Sequence, residues 1–433
     1  MKTTKEWSKM LLSGMAAMVL AFGISVKNYA APADNSYFVS ASGKDTNDGK
    51  SQKSAFQTLG KAIEIATSGE LKTITVIGTI VGSTEIKNAG STEILITGLK
   101  NAKGKNMAVV TTTKEESLIF RVSSGKVRFE NIVITGGVRG GLGLENGAEI
   151  TLGENVKIEK NSAAVGAGAF IDGAKLFMLA NSTISLNEAD DGGGVWIQGG
   201  GSLIMQDTAS IVSCKSGRSG GGGGGITLIA KSTLTLKDKA TISNNEAKGA
   251  GGGFYSLDST VLIQNEAIIK NNKAENNAGA FYAKNSTITI SDNTSLTNNQ
   301  AIRGGGAIFS NQSNITMTGN SSITGNKAVA FGGGVNMYNG GTFTMKGNSI
   351  IKDNSIGVTI GKVSSSDGTG NGGGVFLSSD CKFIMQEKSS ITNNSAKSIG
   401  GGVYSQKGST FTQGSGTVSG NKATEGDADI SKE

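Results

Sequence analysis

Ser286–Ser310 reads STITISDNTSLTNNQAIRGGGAIFS, and it holds every signal that recurs down the chain. Ile288 and Ile290 alternate with Thr287 and Thr289, which sets the apolar pair on one face of a strand. A second short run ends in the Asn298-Asn299 corner, and Gly304–Gly306 then leads into Ala307-Ile308-Phe309. Aligning on aliphatic-x-x-Asn collects Asn161, Asn187, Asn245, Asn272, Asn299, Asn326, Asn354, Asn394 and Asn421, with Cys214 standing where one asparagine is due. Successive members lie 26, 27, 31, 27, 27, 27, 28, 40 and 27 residues apart. A period that steady marks a solenoid.

The strand content says which solenoid. Leu203, Leu234, Val261, Ile315, Phe343, Phe383 and Phe411 form one inner column, and Met205, Leu236, Ile263, Met317, Met345 and Met385 form its neighbour two residues on. Glycine interrupts every copy before a helix could form. Each repeat is therefore expected to supply about three short strands, stacked at roughly 4.8 Å on the rungs above and below. The fold class is all-β: a right-handed parallel β-helix of about thirteen rungs, with about 27 residues per rung.

Gly194, Gly253, Gly306, Gly334, Gly374 and Gly402 each close a glycine triplet ahead of an apolar run, and are read as sharp, closely stacked corners. Gly220–Gly225 looks like a phosphate loop, but Ile226-Thr227-Leu228 follows as a strand and no Lys-Ser/Thr pair is present. The recurrent asparagines are read as a buried amide ladder running from rung to rung.

The pairing of Gly-Gly-Ala/Val/Ile with aliphatic-x-x-Asn, from Ile158 to Asn421, resembles the chlamydial polymorphic outer membrane protein repeat. It differs in having Ile, Leu or Val where that family has Phe, and Gly-Gly-Gly more often than Gly-Gly-Ala. The resemblance implies an exported, cell-surface or outer-membrane-associated protein, adhesin-like, acting in adhesion to a host, matrix or envelope component. Those relatives look like autotransporters, whereas here Ser431-Lys432-Glu433 follow the last rung with no amphipathic strands of the ~10-residue kind that build a membrane barrel.

Residues 1–30 read as a signal peptide: Lys2, Lys5 and Lys9 precede the short apolar core Met10–Ile24, with a cut expected between Ala30 and Ala33. Residues 31–70 read as a capping segment whose helix buries Leu59, Ala62, Ile63 and Ala66, like the leader of pectate-lyase-like β-helices. Within it, Asp45, Asn47 and Asp48 suit an Asx-rich turn better than a calcium loop. Residues 71–147 form irregular opening rungs, with strands expected at Thr73–Ile80 and Lys126–Ile134 among others, and residues 148–433 form the regular helix. Net charge is +7, or +4 without Met1–Ala30, with no clustered basic patch, so no nucleic-acid partner is expected. No later run is long enough for a transmembrane segment.

Histidine is absent, which removes His-based triads, acid–base pairs and metal sites, and no cofactor or metal is expected. A polysaccharide lyase or hydrolase is the alternative, resting on carboxylates near Asp172, Asp190 and Asp191; Asp190-Asp191 reads as a loop pair converging on nothing. Trp196 is the single tryptophan past the leader, so stacking aromatics look few. Outward Thr233/Thr235, Thr287/Thr289 and Thr342/Thr344 raise a crystal-surface reading, which Phe177, Leu262, Lys382 and Ile384 interrupt. Two places break the period. The insertion Gly357–Gly370, with Lys362, Ser364, Ser365, Ser366 and Asp367, is the candidate binding loop, and the step after Cys214 carries four extra residues near Lys215 and Arg218. Asp427 and Asp429 fall in register with Gly400 and Gly402 and read as a terminal cap. Cys214 and Cys381 lie about six rungs, or ~29 Å, apart and are expected to stay unpaired.

Overall fold

The computed structural model describes residues 36–69, 72–88, 90, 92–100, 108–113, 118–357, 359–360 and 370–433. The leader and the loop residues Lys362, Ser364, Ser365, Ser366 and Asp367 lie outside them. In the described part the chain winds as a parallel β-helix, each rung from Ser162 onward passing through four faces. In the central rung these are face I, Phe281–Lys284; face II, Thr287–Ile290; face III, Ser295–Thr297; and face IV, Gln300–Ala301.

Faces III and IV stack as ladders of 13 and 10 strands. Faces I and II join into one 25-stranded sheet because Ile308–Met317 and Val335–Met345 run unbroken round their shared corner. Three strands per rung were expected, so the fourth is a correction. Face IV is only two residues long in most rungs, too short to show alternation in sequence, and its inner column is mostly alanine: Ala247, Ala274, Ala301 and Ala328.

Register follows the apolar pattern. Leu203, Leu234, Val261, Ile288, Ile315, Phe343 and Phe383 pair in series on face II, and all are at most 1 % exposed. The third-face column runs Ile158, Ile184, Ile211, Ile242, Ile269, Leu296, Ile323, Ile351 and Ile391. Helix α1, Leu59–Ser68, lies at the start of the rod against Tyr37–Ser40, Thr73–Ile77 and Thr84–Lys87. It buries Leu59, Ala62, Ile63 and Ala66, and the Thr58 hydroxyl accepts from Lys61 N to cap it. Asp45 accepts from Gln57 N, Thr58 N and Thr58 Oγ1, so its carboxylate is spent on the turn that enters the helix. Thr73–Ile80 and Lys126–Ile134, each expected as one strand, turn a corner midway: the left-handed Gly78 (φ 70°) and Asn131 (φ 50°) split them.

The asparagine series forms one buried ladder at the corner between faces III and IV. Each backbone N–H and Nδ2 donates to the Oδ1 of the next asparagine, at 2.8–3.0 and 2.9–3.1 Å. The second Nδ2 hydrogen goes to the carbonyl of the aliphatic residue one rung back, as from Asn299 to Ile269 O. Asn161 heads the ladder by accepting from Gly137 N. At Cys214 the thiol replaces the amide, donating to Ile184 O at 3.8 Å, while Cys214 N still reaches Asn245 Oδ1. After Asn421 the carboxylate of Asp429 takes the next place, accepting from Asn421 N and Nδ2 at 3.1 and 2.8 Å. Cys214 and Cys381 are both free and buried.

The closing glycines abut this ladder. A Cβ on Gly253, Gly334 or Gly374 would sit 2.5–2.7 Å from the carbonyl of the next rung and near the amide of Asn272, Asn354 or Asn394; Gly194 and Gly402 are placed alike. Gly306 is a correction: it aligns with Gly333, the middle of its triplet, and Ala307 aligns with Gly334, as Ala280 does one rung earlier. A small residue suffices at the closing position. Left-handed backbone belongs to the residue three before the strand, Gly305 (φ 69°) in this rung.

Candidate functional site

The second residue of each face I strand points outward, and these residues pair in series: Phe170, Trp196, Thr227, Tyr255, Tyr282, Phe309, Asn336, Phe376 and Tyr404. Seven of these nine are aromatic, so the surface carries an axial stripe of rings. Tyr255 and Tyr282 stack at 5.0 Å and 3°, Tyr282 and Phe309 at 5.1 Å and 7°. Stacked this way the rings cover one another's faces. Tyr255 and Tyr282 stay partly exposed, whereas Phe309, Phe376 and Tyr404 are buried; Tyr282 Oη accepts from Asn311 Nδ2 at 3.2 Å and Tyr404 Oη donates to Glu433. At Asn336 the stripe is interrupted, and Phe331 from the preceding corner packs on Phe376 at 5.0 Å. Within Val335–Met345, where the strand rounds the corner, the exposed Tyr338 sits beside Phe309, 6.1 Å between centroids.

The other interruption, Thr227, is chemically richer. Asp191 belongs to the fourth-face strand Glu188–Asp191, which corrects the reading of Asp190-Asp191 as a loop pair converging on nothing. Its side chain is buried, and Thr227 Oγ1 donates to its Oδ1 at 2.6 Å while accepting from Gly223 N at 2.7 Å. Arg218 places Nη1 3.5 Å from Asp191 Oδ2, with its own side chain mostly exposed. Burial pushes the Asp191 carboxyl above its ordinary range, against the bonds from Thr227 and the charge of Arg218. Burial, with Tyr282 and Asp191 nearby, pushes the Tyr255 phenol up to about 12. One rung below, Trp196 Nε1 donates to Gln198 Oε1 and Gln198 Nε2 to Asp172 Oδ2, at 2.9 and 3.0 Å. Asp172 therefore orients a tryptophan partner and stands apart from Asp191.

Both breaks in the period leave the rod at the corner between faces IV and I. One runs from Lys215–Ser216 to Ile226–Leu228, the other from Ser355–Ile356 to Val375–Leu377. The base of the longer one is described at Gly357 and Gly370, which pack on Lys397. Asn371, just past it, bridges to Phe331. The two insertions thus leave the rod beside the aromatic stripe. Sequence reasoning missed the stripe by counting tryptophans, although the phrases Gly-Gly-Gly-Val-Trp196, Gly-Gly-Gly-Phe-Tyr255, Gly-Gly-Ala-Ile-Phe309 and Gly-Gly-Gly-Val-Tyr404 carry it openly.

Other surfaces are explained by the fold. Face IV bears a shallow groove lined by Glu188, Lys215, Glu246, Lys248, Lys273 and Glu275, whose charges alternate and partly pair, Lys215 to Glu246 at 3.5 Å. The threonine pairs lie outward on face II, with Leu262 and Ile384 in the same column. Among the described residues no group of three or more His, Cys, Asp or Glu is placed to hold a metal, and no helix is long and apolar enough to cross a membrane. No curated protein and no solved structure matches the chain. The model of the right handed beta helix region family does match, over residues 203–367, so the stretch that carries Arg218, Thr227 and the stacked tyrosines is similar to that family.

Proposed function

We propose that this is an exported, surface-associated β-helix protein that binds a host, matrix or envelope component through face I and the corner beside it, and does so without turning over a substrate. The observation that carries the reading is the shared exit of both insertions next to the aromatic stripe. Elsewhere the rung length is held near 27 residues and outward positions are mostly small, polar or ion-paired. Departures from a repeat survive where they serve recognition. The paired glycine and asparagine motifs, similar to the chlamydial polymorphic outer membrane protein repeat, support the surface role.

Fractionation and protease shaving of intact cells test the location, and beads coated with the purified chain test adhesion to cells and matrix. Retention wholly inside the cell, or adhesion unchanged when residues 358–369 are deleted and Tyr282 and Phe309 are replaced by Ser, defeats the proposal. One observation favours a second reading, a secreted polysaccharide lyase or hydrolase: Asp191 carries a raised carboxyl pKa beside Arg218 and Tyr255. Release of unsaturated or reducing sugars from pectin or alginate, abolished by Asp191→Asn, would establish that reading instead.

A further inference from the structure

Tyr255 has one ring face against Tyr282. Its other face looks toward the rung of Thr227, where the stripe lacks a ring. Trp196 lies one rung beyond. Two rungs span roughly 9.6 Å, so a ring set at the level of Thr227 would lie about 4.8 Å from each neighbour, close to the spacing seen between the tyrosines. That level is filled by backbone. A Cβ on Gly221 would be 3.6 Å from the Tyr255 ring, and one on Gly222 (φ 124°) would strike Asp191 Oδ1. From Lys215 to Gly223 the corner is three residues longer than the aligned Glu246–Gly251 corner of the next rung. The surplus chain, Ser219-Gly220-Gly221, is nearly bare of side chains; the Arg218 side chain on Asp191 latches it, while its ends are fixed by Gly217 N on Ala189 O, Arg218 N on Asp190 O and Gly223 N on Thr227. At Asn336 a phenylalanine does this covering; here glycines do.

We infer that Gly217–Gly223 is a lid over a sugar-binding position, in which a neutral pyranose ring stacks on the open face of Tyr255 and a pair of its hydroxyls bonds Asp191. This rests on the binding role proposed for face I and names its ligand class. When the lid lifts, Arg218 leaves and Asp191 loses a partner. An aromatic side chain from a protein would stack equally well, but it would strand a buried carboxylate. A vicinal diol donates to both carboxylate oxygens while its C–H face covers the ring, so stacking and hydrogen bonding are met by one group. The glycine-rich corner suits a cover that must move while dragging few side chains through the slot.

The test uses the full chain and calorimetric titration with cellohexaose, maltohexaose and the β-1,4-linked hexamer of N-acetylglucosamine. At least one hexamer binds, Tyr255→Ala weakens it at least tenfold, and Tyr255→Phe, which keeps the ring, leaves it within twofold. Arg218→Gln loosens the latch, so the open form is more populated and binding tightens at least threefold. Far-UV dichroism confirms the fold of each variant. No binding of any hexamer to the wild type and Arg218→Gln overturns the inference, and so does indifference to Tyr255→Ala. Weaker binding in Arg218→Gln, or capture of polygalacturonate alone, would make Arg218 an anion receptor and likewise overturn it. Bead adhesion measured in parallel keeps the two readings apart: lost sugar binding with intact adhesion sinks the lid, and the reverse sinks the surface role.

Discussion

Replacing Asn299 with Leu removes four contacts from a site with no solvent exposure. Its Oδ1 accepts from Asn272 N at 3.0 Å and Asn272 Nδ2 at 3.1 Å; its Nδ2 donates to Ile269 O at 3.0 Å and Asn326 Oδ1 at 2.9 Å. The acceptor side is the milder loss, because Asn326 Oδ1 keeps the bond from Asn299 N. The donor side is not, since two N–H groups of residue 272 are left buried without a partner. At about 1–3 kcal/mol per orphaned group the cost is roughly 2–6 kcal/mol. Burying the leucine methyls offsets about 1–2 kcal/mol of it, for a net loss of about 1–4 kcal/mol.

Urea unfolding followed by far-UV dichroism measures the loss, with Asn298→Gly as the control. Asn298 is left-handed at φ 56° and precedes the ladder, so glycine there should change stability by only a few tenths of a kcal/mol, ~0.3. A second substitution sharpens the test. Asn272→Leu added to Asn299→Leu removes the orphaned Nδ2 group together with its lost acceptor, so the pair should cost about 1 kcal/mol less than the sum. Strict additivity, or a loss for Asn299→Leu no larger than for Asn298→Gly, would refute the ladder as a cooperative chain of bonds.

Leu186 occupies the same left-handed position (φ 56°) with half its surface exposed, so Leu186→Asn should stabilise by about 1 kcal/mol in the same assay. Asp191 titrates above its unfolded value, so its contribution to stability is full at pH below that value and is lost as pH rises through the folded pKa; Asp191→Asn should therefore raise Tm at pH 7 and leave it unchanged near pH 3. Glu149 runs the other way. Lys175, against some burial, and then Lys126 hold its carboxyl below the usual range, so its stabilisation is present above the unfolded pKa and is lost as pH falls through the folded one, and Glu149→Gln should lower Tm at pH 7 but not in acid. Asp429→Ala uncaps the ladder at Asn421 and should cost about 1–2 kcal/mol, read as early exchange of the amides of Thr417–Ser419.

The repeat was legible because two demands recur with a fixed period: an aliphatic residue inside face III and an amide three residues later. Both are buried from Asn161 to Asn394, with Cys214 in place of one amide, so substitution is costly and the pattern stays clean. Face IV was not legible, because Gln300–Ala301 and its counterparts offer two residues and one small inward side chain, below what alternation can reveal. Gly306 was assigned one place too late because Ala307 does the packing job of a third glycine, and identity in sequence is not identity in register. The convergence of Asp191, Thr227 and Arg218 joins two different rungs. No spacing within one repeat announces it, since Thr227 meets Asp191 only after a full turn. The same holds for the aromatic stripe, whose members are about 27 residues apart and become neighbours by stacking.

On the proposed reading, stability and recognition are separated by face. The inner columns and the asparagine ladder bind each rung to the next, and none of their polar atoms is free to meet a ligand. The corner between faces IV and I is different: it is lengthened in two rungs, while the strands on either side keep their register. A longer loop there costs little in closure entropy, because each doubling of length adds only about 0.6 kcal/mol. Insertions can accordingly be gained and exchanged at that corner without retuning the rod. Asp191 fits the same logic from the opposite side. A buried carboxylate that loses stability at neutral pH is hard to explain by packing, and Thr227 could hold Gly223 without it. On the proposed binding reading, a ligand for Asp191 supplies the reason for a carboxylate where stability alone would favour an amide.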